Sequence, residues 1–582
     1  MRTKDLQMVP HLSFLVRQPP ARMAHAMSRF NFDLLASTSL ALLLVPALLY
    51  FDFSVAVALP LAVLIGLTSQ PLFRLAFSPD RSDVFLPTVL FAVYFLIYFA
   101  LRSFYLLTTP FFDRVGHNPY DDFIPAALWC ACFGYIAFAS GMASKIAQRW
   151  LRKLPAISDN WPRSLPAWRI LFLMLVGLAC VLYAFKIGAA VGDDYASREF
   201  RLNPPPGEVM LLRALIDMSW VAVCIFLVSP GRKSNRGLVW LLFSIALSIL
   251  LVRLALEGGK EALIQPFFEA AIVFHYAKRR FRIWEMVIIG VPILMLAFGA
   301  VNFYRFVVVA QHGSPKNLAD VISRVSTASD LLTSEHGAGT QESALEQMVE
   351  RNAGADSLAL IMKYTPHPFP YQYGQPWLEM PLTFIPRQIW KDKPVSQPTA
   401  DFEFTYMGMP SSFNGFTSLH LIADLYRNFS FAGVLCGMFL FGVFLRFFYQ
   451  FCAPCRENGT GLFLYAALLP QIIHCLESDA GWAMVSMFRA AALAIVAAVF
   501  LGARFRKVQR LKLAPRNLVL TARPRVPTIF AGEAGHREAA LPSFPSNNKI
   551  VVPGHPFALV SIFGYCGIRT SAISATRKKT DG

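Results

Sequence analysis

Apolar segments of about twenty residues recur along most of the chain, and they constrain its fold more than any other feature of the sequence. A bilayer core is about 30 Å thick, and a helix of about 20 residues crosses it. Twelve segments qualify: 34–51, 53–73, 84–101, 123–143, 169–187, 209–229, 237–256, 261–277, 284–303, 431–450, 461–477 and 482–502. A mean hydropathy of +0.46 with 15% charged residues is more apolar than the core of a soluble protein requires. The sequence therefore predicts an all-α polytopic membrane protein with about twelve transmembrane helices.

Basic residues cluster at alternate connections between these segments. Cytoplasmic loops retain Lys and Arg close to the ends of transmembrane helices. If the N-terminus is cytoplasmic, the clusters at 145–153, 232–236, 278–282 and 504–512 all fall on the cytoplasmic side. We therefore expect both termini in the cytoplasm. The formal net charge of +18 is interpreted as a topology signal, and no nucleic-acid partner is expected.

The same topology divides the chain into five parts. They are a cytoplasmic N-terminal segment (1–33), a membrane domain of helices 1–9 (34–303), a long extracytoplasmic loop (304–430), a membrane domain of helices 10–12 (431–502) and a basic cytoplasmic tail (503–582). The long loop carries many large apolar residues, which argues against disorder and favours a function. The nine cysteines are scattered and Cys452 and Cys455 form an isolated CxxC, so we expect no disulfide framework, metal site or cofactor.

Two predicted outer connections carry basic residues of possible function. Arg198 and Arg201 lie between helices 5 and 6, and Lys260 follows a Gly258-Gly259 pair between helices 7 and 8. Arginine forks onto phosphate oxygens, and a glycine hairpin adds backbone N–H groups, so both loops suit a diphosphate group. Solvated loop arginines and a lysine that snorkels to the interface remain open alternatives.

Ionisable side chains also occur inside the apolar segments, where each is costly unless it has a partner or lines a cavity. Arg213 and Asp217 lie one turn apart in helix 6, and an ion pair that fixes packing is as consistent with this spacing as a site. Glu269 lies deeper in helix 8. We expect it to pair with Arg489 of helix 12.

The end of the long loop carries the most informative residues. His420, Asp424 and Arg427 are spaced by four and three, so a helix would present all three on one face. An imidazole, a carboxylate and a guanidinium at the membrane surface are the groups that a general base with phosphate anchors requires. A surface ion pair with a capping histidine is the alternative, and spacing alone does not choose between them.

Two strings in this region carry a resemblance. The first reads Ile385-Pro386-Arg387-x-x-Trp390-x-x-Lys393-Pro394, and the second reads Asp424-x-Tyr426-x-Asn428-Phe429 and leads into an apolar helix. Their order resembles the bacterial O-antigen polymerases, the oligosaccharide repeat unit polymerase family. The chain departs from the family pattern at four positions: Asp424 replaces Glu, Ala423 and Ser430 replace Gly, and Lys260 stands where Arg is usual.

The resemblance implies a GT-C-like membrane glycosyltransferase in the bacterial inner membrane, with its active site facing the periplasm and no metal or cofactor. Undecaprenyl-diphosphate-linked glycans would be its substrates, and inverting transfer would expel lipid diphosphate. The lipid bilayer is a partner, and a chain-length regulator protein remains open. The residues implied are Asp424 or His420 as proton acceptor, Arg198, Arg201, Lys260, Arg387, Arg427 and Arg305 as diphosphate ligands, and Trp377, Tyr373 and Trp390 as sugar-stacking groups.

Two other functions remain open. An O-antigen ligase would share the fold and the donor but hand the glycan to lipid A core. A flippase or transporter of lipid-linked glycans belongs to a different class, which places polar residues at the membrane midplane. The polar residues here collect near one predicted face, which favours the polymerase.

Overall fold

The structure is a computed structural model. It describes residues 20–51, 53–77, 83–108, 121–154, 156–157, 161, 164–186, 211–228, 235–257, 260–296, 319–320, 323, 326–327, 352–383, 385, 390, 398–408, 419–452, 459–503 and 505–506. The chain divides into two units, residues 1–517 and 518–582, and every described residue lies in the first.

The described residues are almost entirely helical. The longer helices are α1 (Pro20–Tyr50), α2 (Val55–Phe77), α3 (Pro87–Phe95, continued by a π-helical Leu96–Leu101 and by Arg102–Thr108), α4 (Ile124–Ala143), α5 (Ile146–Leu151), α6 (Ala167–Lys186), α7 (Leu215–Val228), α8 (Arg236–Glu257), α9 (Lys260–Ala277), α10 (Ile283–Leu296), α11 (Gly354–Tyr364), α12 (Gln375–Leu378), α13 (Met380–Thr383), α14 (Pro398–Tyr406), α15 (Leu421–Cys452), α16 (Gly459–His474) and α17 (Ala480–Phe500). Two-residue strands, β1 (Ala156–Ile157) and β2 (Phe505–Arg506), pair antiparallel.

Ten helices in the described part of the chain are long and apolar enough to cross a membrane. They correspond one by one to the predicted segments other than the eighth and the ninth. The described residues of those two segments are helical as well, as α9 and α10. Lys260, Glu261 and Glu269 make α9 less apolar, and α10 is described over only 14 residues. The prediction of an all-α protein with many helices long and apolar enough to span a membrane is confirmed.

Close backbone contact joins α4 to α15. A Cβ atom on Gly141 would clash with the carbonyl oxygen of Phe439, and one on Gly442 would clash with the carbonyl oxygen of Phe138. Small residues let membrane helices approach until their backbones touch. Phe133 packs edge-on against Phe431 near the start of both helices, and Arg446 donates to the carbonyl oxygen of Met142 near their ends, so α4 and α15 run parallel.

Helix α15 is broken near its start. Phe429 (φ −137°, ψ 21°) and Ser430 (φ 59°, ψ −160°) leave the helical region, which separates residues 421–428 from the long apolar part that follows. The backbone region of Ser430 is one that glycine adopts without a steric penalty. The position of Ser430 is therefore one where a glycine would be expected.

Helix ends with basic connections lie together at one end of the bundle. Arg169, at the start of α6, donates a hydrogen bond of 2.8 Å to the carbonyl oxygen of Phe500 at the end of α17. The strand after α5 pairs with the strand after α17. We call this the basic end, after the residues 145–153 and 278–282.

The start of α3 and the ends of α9 and α15 also meet at the basic end. The Asp83 carboxylate accepts hydrogen bonds from the hydroxyl groups of Tyr276 (2.7 Å) and Tyr449 (2.7 Å). It also accepts one from the backbone N–H of Phe85, two residues before α3 begins (3.1 Å). The other ends of these helices lie at the opposite end of the bundle, which we call the site end. Residues 352–383, 419–428 and 475–480 lie there.

Candidate functional site

The short helix of residues 421–428 is buried at the site end, beneath residues 365–378, which follow α11, include α12 and are called the covering segment here. Backbone N–H groups of Gln372 and Tyr373 donate to the carbonyl oxygens of Arg427 (3.2 Å) and Asn428 (3.0 Å). The backbone N–H of Gly374, whose φ of 80° requires glycine-like freedom, donates to Asn428 Oδ1 at 3.0 Å. These bonds fix the covering segment to the helix that carries the predicted site residues.

The Asp424 carboxylate is the most heavily bonded group of this region. Trp377 Nε1 and the backbone N–H of Ala480 donate to Oδ2, at 3.1 and 2.9 Å. Arg427 Nη2 and Asn428 Nδ2 donate to Oδ1, at 2.7 and 3.0 Å. A carboxylate offers about four acceptor sites, so this arrangement uses them fully. Asp424 and Arg427 form a buried ion pair, and they lie in the interior rather than on the surface where the spacing had suggested a site.

Asp424 also lies at the N-terminus of α17, because Ala480 is the first residue of that helix. The unpaired N–H groups at a helix N-terminus stabilise a negative charge. The carboxylate therefore joins three elements: its own helix, the covering segment through Trp377, and α17.

His420 immediately precedes the helix of residues 421–428. Its side chain has few hydrogen-bond partners, whereas that of Asp424 has many. The Tyr94 hydroxyl lies 2.7 Å from His420 Nδ1 and 2.9 Å from the carbonyl oxygen of Leu476, to which it donates. The hydroxyl has one proton, and a carbonyl oxygen cannot donate, so Nδ1 carries the hydrogen and donates to Tyr94. His420 Nε2 is buried and has no hydrogen-bond partner among the described residues.

Burial also sets the charge of His420, whose side chain is 0% exposed. Desolvation lowers the pKa of His420 to about 3, with a smaller opposing contribution from the carbonyl group of Leu476. The imidazole is therefore neutral near pH 7. Its Nε2 lone pair is available to accept a proton.

Two tyrosines of α3 form the wall around His420. The ring of Tyr98 stacks on that of Tyr94 with centroids 4.4 Å apart, and it meets the His420 ring edge-on at 5.0 Å. The Tyr98 hydroxyl donates to Oε1 of Glu477. The result is a compact group of an imidazole, two phenols and a carboxylate.

A second buried ion pair holds the same wall. Arg102 donates from Nη2 to Asp356 Oδ2 at 2.6 Å and from Nε to both carboxylate oxygens. Gly354, at the start of α11, lies against the backbone of Tyr98, where a Cβ would be 2.9 Å from the carbonyl oxygen. Helix α11 is thereby fixed against α3 at the level of the site.

Most predicted diphosphate ligands fall outside the described part of the chain. Arg198, Arg201, Arg305 and Arg387 lie there, and so does the side chain of Lys260, although its backbone begins α9. Their grouping stays a prediction. Arg427 is described, and its buried guanidinium bonds to Asp424.

The predicted sugar-stacking residues occupy different environments. Trp377 is half-buried, its indole N–H is bonded to Asp424, and its ring packs edge-on against Phe429 with centroids 5.2 Å apart. Tyr373 is 74% exposed beside it, and Trp390 is half-buried. Of the three, Tyr373 offers the most open ring face.

Sequence reasoning missed several residues that build the site, notably Tyr94, Tyr98, Arg102 and Glu477. Tyr94, Tyr98 and Arg102 recur every four residues, so they share one face of α3. This polar stripe within an apolar segment was the available signal. No group of three or more His, Cys, Asp or Glu side chains in the described ranges is arranged to hold a metal ion.

Comparison with known proteins adds one match. No curated protein and no solved structure matches the chain significantly. The matching family model is described as a domain of unknown function, DUF8712, and it covers residues 199–452, a stretch that includes the covering segment, His420 and α15.

Proposed function

We propose that this protein is a membrane glycosyltransferase that polymerises oligosaccharide repeat units linked to undecaprenyl diphosphate, with His420 as the proton acceptor. The observation that carries the proposal is the buried, neutral His420, whose Nδ1 is bonded to Tyr94 and whose Nε2 lone pair is unshared among the described residues. A general base needs such a lone pair within reach of the attacking hydroxyl.

The hydrogen bonds favour His420 over Asp424 for this role. All acceptor positions of Asp424 are used by Trp377, Arg427, Asn428 and Ala480. The basicity of His420, with a pKa of about 3, is close to that of an ordinary aspartate, about 3.9. An imidazole of this basicity can assist a reaction in which the leaving group is already good.

The proposed reaction balances without a further reactant. A hydroxyl oxygen of one lipid-linked repeat attacks the anomeric carbon of the growing chain, and the bond from that carbon to the diphosphate oxygen breaks. The hydroxyl proton passes to His420 Nε2, and the lipid diphosphate leaves as an anion. The basic residues Arg198, Arg201, Lys260, Arg305 and Arg387 would stabilise that anion.

The proposal includes twelve membrane crossings, of which α9 and α10 supply two. It also includes both termini in the cytoplasm and the site end facing the periplasm of a bacterial inner membrane. The gathering of the basic connections at one end of the bundle supports this orientation, since cytoplasmic loops retain Lys and Arg.

A second candidate function is a flippase for the same lipid-linked glycans. Asp217, Arg253 and Glu269 are buried within the bundle, and α9 contains Pro266. Buried charges near a helix that contains proline are a feature of many transporters. The site end, with its covering segment and unshared imidazole, supports the polymerase more strongly.

A deletion strain of the source bacterium separates these functions. Loss of a polymerase leaves single repeats in place of long chains, whereas loss of a ligase leaves long chains on the lipid carrier. Loss of a flippase leaves lipid-linked repeats on the cytoplasmic leaflet. We expect the first result, measured by gel ladders of surface glycan and by mass spectrometry of the lipid-linked pool, and either of the others would overturn the proposal.

Complementation of that strain tests the residue. His420→Asn keeps a donor near Tyr94 but removes the proton acceptor, so we expect normal membrane insertion without long chains. His367→Asn, which changes an exposed histidine in the covering segment, is the matched control and should restore the ladder. A full ladder from His420→Asn would contradict the assignment.

A further inference from the structure

A second buried polar cluster lies between α7, α8 and α9, away from His420. Arg253 Nη1 of α8 lies 2.5 Å from Asp217 Oδ1 of α7, and both side chains are less than a tenth exposed. On α9, Gln265 Nε2 donates to Glu269 Oε1 at 2.8 Å. Glu269 is 0% exposed, and its Oε2 has no hydrogen-bond partner among the described residues.

The charges around Glu269 do not favour an ionised carboxylate. Arg253 already has Asp217 as its counter-ion, so a second anion would remain uncompensated. A buried charge without a counter-ion costs several kcal/mol, whereas a protonated carboxyl does not carry this cost. A carboxylic acid also suits the observed bonding, since Gln265 donates to one oxygen and the other can hold the proton.

Among the residues that the structure describes, the other groups packed against α9 do not supply another cation. Helix α7 contributes Cys224, and α16 contributes Tyr465, whose hydroxyl donates to the carbonyl oxygen of Phe85. Arg213, one turn before Asp217, is half-buried, and its charge interacts with Cys180 of α6. Among the described neighbours, Arg253 is therefore the cation that interacts electrostatically with Glu269.

We propose that Glu269 is a proton-binding site in the membrane domain: it holds a proton while Asp217 and Arg253 are paired, and loss of that proton makes it compete with Asp217 for Arg253. The inference does not depend on the glycosyltransferase proposal.

The helices around the cluster give this exchange a structural consequence. Pro266 lies one turn before Glu269 and cannot donate the backbone hydrogen bond that an ordinary helix residue would. The indole of Trp220 on α7 donates to the Pro266 carbonyl oxygen at 2.9 Å. Transfer of Arg253 from Asp217 to Glu269 would tie α8 to α9 instead of α7, next to this weakened turn.

Infrared spectroscopy of the purified full-length protein tests the proton directly. A protonated carboxyl has a C=O stretch separate from that of a carboxylate. We expect a protonated-carboxyl band near neutral pH that disappears in Glu269→Gln. Glu285→Gln, which changes a partly exposed carboxylate paired with Arg279, is the control and should leave the band unchanged. An identical band in wild type and Glu269→Gln would overturn the proposal.

A third variant tests the competition for Arg253. In Asp217→Asn, Arg253 loses its counter-ion, so Glu269 should release its proton and the band should disappear although Glu269 is present. Persistence of the band in Asp217→Asn would contradict the exchange.

Thermal unfolding gives a second readout of the same site. The folded state binds a proton on Glu269 that the unfolded chain has lost above about pH 4.3, so this group makes stability fall as pH rises. The Tm of Glu269→Gln relative to wild type should therefore increase from about pH 5 to about pH 8. A Tm difference between Glu269→Gln and wild type that stays constant or decreases from about pH 5 to about pH 8 would indicate an ionised Glu269 and would also overturn the proposal.

Discussion

His420 and Asp424 are four residues apart in sequence, yet their environments assign them different tasks. The Asp424 carboxylate is saturated by donors from the covering segment, its own helix and α17. The His420 imidazole is fixed through one nitrogen by Tyr94, and its other nitrogen is unshared among the described residues. At the residue scale, Asp424 holds the site together and His420 is the group with free proton-accepting capacity.

The first prediction concerns the buried ion pair. Asp424→Asn keeps the shape of the side chain but leaves the Arg427 guanidinium buried without its counter-ion, so we expect a loss of about 3–5 kcal/mol in the free energy of unfolding. Thermal or denaturant unfolding of the purified protein would measure it. The double variant Asp424→Asn/Arg427→Gln removes both charges and should recover part of the loss, whereas a single variant as stable as wild type would show that the pair contributes little.

The second prediction concerns the pH dependence of stability. Burial lowers the pKa of His420 to about 3, against about 6.5 in an unfolded chain, so between these values the unfolded state binds the extra proton. Stability is therefore full above about pH 6.5 and falls as pH decreases, by up to about 1.4 kcal/mol per pH unit from this group.

Comparison of wild type with His420→Asn isolates the contribution of His420 to the pH dependence of stability. In His420→Asn the group is absent, so the Tm should fall less than that of wild type between about pH 6.5 and pH 4. Equal slopes for wild type and His420→Asn would mean that His420 is not buried as a neutral ring.

At the scale of elements, the contact between α4 and α15 determines where the short helix of residues 421–428 lies. Gly134 of α4 faces Ile422 of that helix as well as Val434 and Met438 beyond the break. One helix face thus positions both parts of α15, and the crossing itself requires glycine at Gly141 and Gly442, where a Cβ would meet backbone oxygen.

The third prediction tests this crossing. Gly442→Leu would place a side chain where the backbone of α4 lies, so we expect severe destabilisation and loss of membrane-inserted protein, measured by yield and Tm. Gly290→Leu is the matched control, because a Cβ at Gly290 of α10 meets no atom within 4 Å. Equal effects of the two substitutions would contradict the tight crossing.

The fourth prediction concerns the break in α15. Ser430 has a φ of 59°, which costs a residue with a side chain about 1–3 kcal/mol relative to glycine. Ser430→Gly should therefore stabilise the protein, by about 1 kcal/mol after the greater backbone entropy of glycine in the unfolded chain is subtracted. A lower Tm in Ser430→Gly would indicate that the serine side chain has a bonding role that outweighs the strain.

At the scale of the whole molecule, hydropathy was sufficient to predict ten long helices within a few residues, because membrane spans are fixed by length and apolarity. Helical spacing likewise predicted that Asp424 and Arg427 share a helix face, since they are three residues apart, and the structure shows them in contact. Both predictions depended on local geometry only.

The remaining features of the site depend on long-range packing and could not be read from local patterns. Tyr94 and His420 are 326 residues apart, and Trp377 and Asp424 are 47 apart across an irregular segment. No periodicity connects such residues. The prediction that Asp424 lies at the surface was wrong for the same reason. The covering segment and α17 cover this residue and bury it.

The most direct test of the central claim is transfer by the purified full-length protein with a lipid-diphosphate-linked repeat as the only substrate. We predict that the wild type forms longer glycan on lipid and releases lipid diphosphate in equal amount, and that folded His420→Asn is slowed by about 100-fold or more. No elongation by the folded wild type, or equal rates from wild type and His420→Asn, would contradict the account.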